Sequence, residues 1–228
     1  MSAAPGHTAK FRSALPQRDG DLFITDGGLE TTLVFLEGVE LPVFAAFPLV
    51  LTKEGQGHLR RYFAPYLEAA RQHGKGFILD TPTWRANRDW GAQIGYGPED
   101  LAEVNRKSVE FIRELRDESG VERVVLDGVI GPRGDGYAIE TKMSPQEAAD
   151  YHDEQVRAFS GTAADMVTAL TMTYAEEATG LRSQPGGMAC LSRFPSRWRR
   201  TDVFLQARVW RTRLPNPKTR RRATPPPT

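Results

Sequence analysis

Cysteine is nearly absent from this chain: Cys190 is the only one in 228 residues. One cysteine excludes an intrachain disulfide, and it leaves a thiolate metal site of the usual kind short of ligands within one chain. The four histidines, His7, His58, His73 and His152, are scattered and show no metal-ligand spacing. Long apolar runs are missing too; nothing approaches the ~20 residues that span a bilayer. Residues 1–18 mix Pro, Gly, His and charges and hold no apolar stretch of the signal-peptide type. The expectation is a cytoplasmic protein with no membrane partner. Acidic residues are the last shortage, and it is local. From Leu181 to Thr228 the only one is Asp202.

That shortage marks a seam near Gly180. Residues 1–180 hold 18 Lys+Arg against 28 Asp+Glu, whereas residues 181–228 hold 12 basic residues against one acid. The overall net charge of +1 describes neither part. The length suits one large domain or two small ones with a sizeable core. Hydrophobic and charged shares of 39% and 26% are ordinary for a soluble globular chain.

Residues 20–180 alternate between two periodicities. Short apolar runs occur at Leu22-Phe23-Ile24-Thr25, Gly76-Phe77-Ile78-Leu79, Val124-Val125-Leu126 and Met166-Val167-Thr168-Ala169-Leu170. Runs of this length, bounded by Gly, Asp or Thr, predict buried parallel strands. Between them, Leu59, Tyr62, Phe63, Tyr66, Leu67 and Ala70 share a helical face, as do Val109, Phe111, Ile112 and Leu115. A helix is expected from Thr52 to a glycine stop at Gly74. Another is expected over residues 144–160, opened by Ser144 as cap and Pro145 in its first turn. Strand and helix in alternation predict βα units with a helix-covered parallel sheet. Each strand ends in a polar cluster: Thr25-Asp26-Gly27-Gly28, Asp80-Thr81-Pro82-Thr83, Asp127-Gly128 and Thr171-Met172-Thr173. Parallel strands bring such ends to one rim, where substrates bind. At any single cluster, capping of the next helix explains the same residues equally well.

Four stretches in order carry a resemblance. They are Asp26-Gly27-Gly28-Leu29-Glu30-Thr31-Thr32-Leu33, Asp80-Thr81-Pro82-Thr83-Trp84-Arg85-Ala86-Asn87, the Gly-Pro-x-Gly-Asp-x-Tyr pattern at Gly131 to Tyr137 after Asp127, and Thr171-Met172-Thr173-Tyr174-Ala175-Glu176-Glu177-Ala178. Together they resemble the homocysteine S-methyltransferase family, zinc-dependent enzymes of the betaine- or S-methylmethionine-using kind. The resemblance implies a (β/α)8 TIM barrel in methionine biosynthesis. A methyl group would pass from a sulfonium or ammonium donor to the thiol of homocysteine. It also implies zinc on three cysteine thiolates, which lowers the pKa of the substrate thiol. By position, Asp26 and Gly27 would hold the amino acid end of homocysteine, with Gly28 permitting close backbone approach. Thr81, Thr83 and Trp84 would line the second-strand side, and Asp127 the third. An aromatic wall suits a cationic donor, although Trp84 also reads as a packing residue.

Two departures stand out. Where related methyltransferases carry a Glu at the fourth-strand end, this chain has Ala169-Leu170-Thr171, and the family's zinc cysteines have no counterpart. The expectation is therefore the first four βα units of the barrel over residues 20–180, after a flexible N-terminus at 1–19. No zinc and no activity are expected from such a chain. Unpaired edges at the first and fourth strands would favour self-association.

Residues 181–228 hold 11 Arg, one Lys and seven Pro, and no apolar periodicity. They read as a disordered tail. One alternative is a nucleic-acid arm. Arg197, Arg199, Arg200, Arg220, Arg221 and Arg222 would meet phosphates and Trp198 would stack on bases, beside a non-catalytic small-molecule-binding half-barrel. Another is a gene read out of register. Back-translating Met188 to Arg213 with permitted GC-rich codons and reading from the third base gives GLPVAFPVEVETDGRLPAGKGLADA. That string resembles the family's own continuation, and a frameshift close to residue 181 accounts for the seam.

Overall fold

The four apolar runs form the strands expected of them. The computed structural model describes residues 8–139 and 141–182, and the backbone of 189–193. Strands β1 (Phe23–Thr25), β2 (Gly76–Asp80), β3 (Val124–Ile130) and β4 (Met166–Leu170) lie parallel in chain order. Asp80 pairs in register with Asp127, and Val129 with Thr168. Helices α1 (Leu29–Phe35), α2 (Lys53–Gln72), α3 (Arg88–Ala92), α4 (Pro98–Glu118), α5 (Pro145–Ser160) and α6 (Ala175–Arg182) fill the connections. Alternation along each strand sorts the two faces. Phe77, Leu79, Leu126, Ile130 and Val167 enter the main core with Leu59, Phe63, Ile112 and Phe159 of the helices. Phe23, Ile78, Val125 and Met166 form a separate cluster on the opposite face.

The caps read from the sequence are made. Thr52 Oγ1 accepts from Gly55 N at 3.0 Å at the start of α2. At α5 the box is reciprocal: Ser144 Oγ accepts from Glu147 N at 3.3 Å, and Glu147 Oε2 accepts from Ser144 N at 2.7 Å. No described helix is long and apolar enough to cross a membrane.

The structure departs from the sequence expectation at both ends. Within the N-terminus expected to be flexible, residues 11–19 are docked against the fold. The Arg12 guanidinium donates to the carbonyls of Ser160, Thr162 and Ala164 at 2.6–3.0 Å. Phe11 N donates to Asp165 Oδ1, and Leu15 and Phe11 pack on the inner cluster. A short 3-10 turn at Pro16–Arg18 leads into β1. The physical reason is that the inner apolar face needs a cover, and the α5–β4 turn offers unpaired carbonyls to a five-donor guanidinium. At the other end, a fifth strand, β5 (Ala189–Arg193), pairs parallel with β4, within the stretch expected to be disordered. Backbone pairing with the free edge of β4 needs no apolar periodicity in its partner. Among the described residues the sheet edges are accordingly β1 and β5, not β1 and β4. The tail arginines from Arg197 onward and Trp198 lie outside the described residues.

Candidate active site

A pocket of about 270 Å³ opens at the C-terminal rim of the sheet. Of the residues expected there, Asp26, Gly27, Gly28, Thr81 and Trp84 line it. Gly28 adopts φ 71°, a left-handed conformation suited to glycine, where the chain turns from β1 into α1. Tyr62 of α2 donates its hydroxyl to Asp26 Oδ2 at 2.8 Å and so fixes that carboxylate at the rim. Trp84 is held by its Nε1–H, which donates to Thr171 Oγ1 at 2.9 Å. Arg85 stacks between Trp84 and Trp90. A Cβ at Gly131 would run into the Trp84 carbonyl, so the glycine of the third-strand motif is required by close packing on this wall.

Two expected residues are not part of the lining. Thr83 is fully buried behind the pocket, donating its hydroxyl to the Val129 carbonyl at 2.7 Å and bonding Thr81 Oγ1 at 2.6 Å. Asp127 is also fully buried, and its Oδ2 accepts from the Thr168 hydroxyl. Both belong to the packing beneath the rim.

The sequence reading gave no binding role to Glu30, Phe44 or Tyr137 and placed Asp80 and Thr171 only among the rim clusters; all five line the pocket. Burial pushes the Glu30 carboxyl up to about 7, with nearby Asp26 adding to the rise and Arg85 opposing it. Phe44 and Thr171 have φ of 59° and 57°. Left-handed backbone at non-glycine residues costs on the order of 1–3 kcal/mol and gathers at functional sites. The signal for Glu30 was present, since it sits inside the first motif. Phe44 had none, because a turn aromatic far from any strand end carries no period. Three carboxylates and three aromatic rings in one pocket make it suited to a cationic group with apolar substituents.

A sequence model of the homocysteine S-methyltransferase family matches residues 23–197. The chain belongs to the homocysteine S-methyltransferase family. The match runs past Gly180, where the four sequence motifs end. Among solved structures, the chain resembles the homocysteine methyltransferase MmuM from Escherichia coli in two states. For the metallated form the TM-score is 0.56 at 21% identity, covering 71% of this chain and 57% of that one. For the oxidized form it is 0.61 at 19% identity, covering 79% and 63%. At these identities the likeness concerns the fold. The chain thus spans about three-fifths of the length of those methyltransferases. No individually curated protein is significantly similar to it.

Zinc, which the resemblance implies on three thiolates, does not fit these residues. The sequence holds Cys190 alone. Among the described residues no group of three His, Cys, Asp or Glu side chains is placed to hold a metal ion.

Proposed function

We propose that residues 20–180 are the homocysteine-binding part of a methyltransferase that makes methionine. The observation that carries this reading is the convergence of Asp26, Gly27, Gly28, Thr81 and Trp84 on one rim pocket. Asp26, oriented by Tyr62, meets the substrate ammonium, while the exposed Gly27-Gly28 backbone lets the amino acid end approach closely. Phe44, Trp84 and Tyr137 face the methyl donor, a sulfonium or ammonium cation. In the reaction the homocysteine sulfur takes the methyl group, the donor leaves neutral, and the thiol proton goes to solvent. Activation of that thiol is the part these residues do not supply, so residues 1–228 alone bind substrate without turning it over.

Titration of the chain with L-homocysteine tests the assignment. Binding is expected to be lost in Asp26→Ala, and unchanged affinity in that variant would remove Asp26 from the site. Methyl transfer by residues 1–228, or zinc at one per chain in metal analysis, would overturn the inactive reading.

The composition beyond Gly180 and its register-shifted reading support a frameshift in the gene. The shift is placed close to residue 181, ahead of Met188, where the register-shifted reading begins; the family match itself extends to residue 197. Resequencing the locus decides it: a clean frame with no family sequence in another register would refute the shift.

A further inference from the structure

The segment between α1 and α2 brings Phe44 to the pocket through unusual backbone. Val43 and Phe44 are consecutive and both left-handed, with φ of 47° and 59°. A β-branched residue rarely adopts that region, because its Cβ crowds the following carbonyl. The turn has two hydrogen bonds of its own, from Phe44 N to the Leu41 carbonyl at 2.9 Å and from Ala45 N to the Pro42 carbonyl at 3.0 Å. They do not select the left-handed form, since a right-handed turn makes the same pairings. Just beyond, the chain is anchored. Ala45, Ala46 and Phe47 are buried, and Phe47 meets Tyr96 edge-on with ring centroids 5.0 Å apart.

Arg85, in the β2–α3 connection, reaches this turn from outside it. Its Nη1 donates to the Val43 carbonyl, the peptide that joins the two left-handed residues. Its guanidinium carbon lies 3.7 Å from the ring centroid of Trp90, 4.8 Å from that of Trp84 and 6.0 Å from that of Phe44. Three rings and one carbonyl thus share one cation. Arg85 is half-buried. Burial lowers its pKa, opposed first by Asp135 and then by Glu30 and Tyr137, and an arginine remains charged under such a shift. The side chain does not itself line the pocket, whereas Phe44 and Trp84, which it touches, both do. A planar fork can stack and donate at once, which a lysine ammonium cannot.

We propose that Arg85 is a positioning residue: it pins the Val43–Phe44 turn against Trp84 and so sets the aromatic wall on which the methyl donor rests. One guanidinium in contact with both rings fixes how Phe44 and Trp84 stand to each other across the pocket.

Amide exchange read by mass spectrometry tests the turn without a ligand and tolerates self-association. Arg85→Met keeps an apolar stem but neither donor nor charge. Exchange at residues 44 and 45 should quicken by about tenfold or more in that variant, while residues 77–79 of β2 stay within about threefold of wild type. Unchanged exchange at 44 and 45, or equal quickening in both segments, would overturn the proposal. Titration with tetramethylammonium and with glycine betaine tests the wall. Both should bind Arg85→Met more weakly by one common factor, about fivefold or more. A loss confined to betaine would mean that Arg85 meets the ligand carboxylate directly, and it would refute the positioning role, as would unchanged binding of both. Should the variant not fold, backbone chemical shifts of Val43 and Phe44 in sedimented wild type decide. Left-handed values are expected, and right-handed or extended ones would sink the proposal. That the wall serves a methyl donor rests on the reading above. Wild type that bound neither cation would remove that reading, and the exchange and shift measurements would still decide the role of Arg85 at the turn.

Discussion

Glu30 and Tyr62 carry the sharpest consequences at the level of single residues. The Glu30 carboxyl titrates near 7 in the folded chain, against about 4.5 when unfolded. Between those values the folded state binds the extra proton, so stability falls as pH rises from 4.5 through 7 and the loss is complete above 7. With partial exposure allowed for, the loss is on the order of 2 kcal/mol. Urea unfolding at pH 5 and pH 8 should show this difference in wild type and a flatter profile in Glu30→Gln. Tyr62→Phe removes the donor that orients Asp26. A hydrogen bond to a charged group contributes about 1.5 kcal/mol, so homocysteine should bind about tenfold more weakly by calorimetry. The residues legible in the sequence were those at strand ends, where position in the chain dictates position on the rim. His152, buried against Glu177, and Gln155, buried against Asn105, were not legible as core residues. On a helix face a polar residue reads as solvated until burial and partners are seen.

Among the elements, the capped helices and doubly buried strands followed from the sequence most directly. Strands covered on both faces need apolar side chains throughout, and that produced four unmistakable runs. Ser144 and Pro145 announced α5 because a cap and a first-turn proline favour a helix start, and the structure adds Glu147 as the reciprocal partner. Ser144→Ala should cost about 1 kcal/mol in urea unfolding. Asp127 misled as a terminus. β3 continues to Ile130, and the inward carboxylate is accommodated by the Thr168 hydroxyl rather than ending the strand. β5 was invisible for another reason. Edge pairing is a backbone transaction, and the arginines and prolines around it suppress every side-chain signal.

At the largest scale the deciding fact is that, among the described residues, the sheet is open with edges at β1 and β5. In a closed barrel no strand has a free edge; among the described residues β1 and β5 each have a neighbour on one side only. We propose that the chain self-associates through these edges. Sedimentation velocity should show species larger than one chain, increasing with concentration. A monodisperse monomer that unfolds cooperatively would refute this.

The docking of Arg12 on residues 160–164 also has a temporal side. Its partners lie about 150 positions further along the chain, and a ribosome needs several seconds to reach them at roughly 5–20 residues per second. The Arg12 segment is thus made well before the carbonyls that fasten it. Until β4 has emerged, the apolar inner face waits uncovered, and chaperones would meet the nascent chain there.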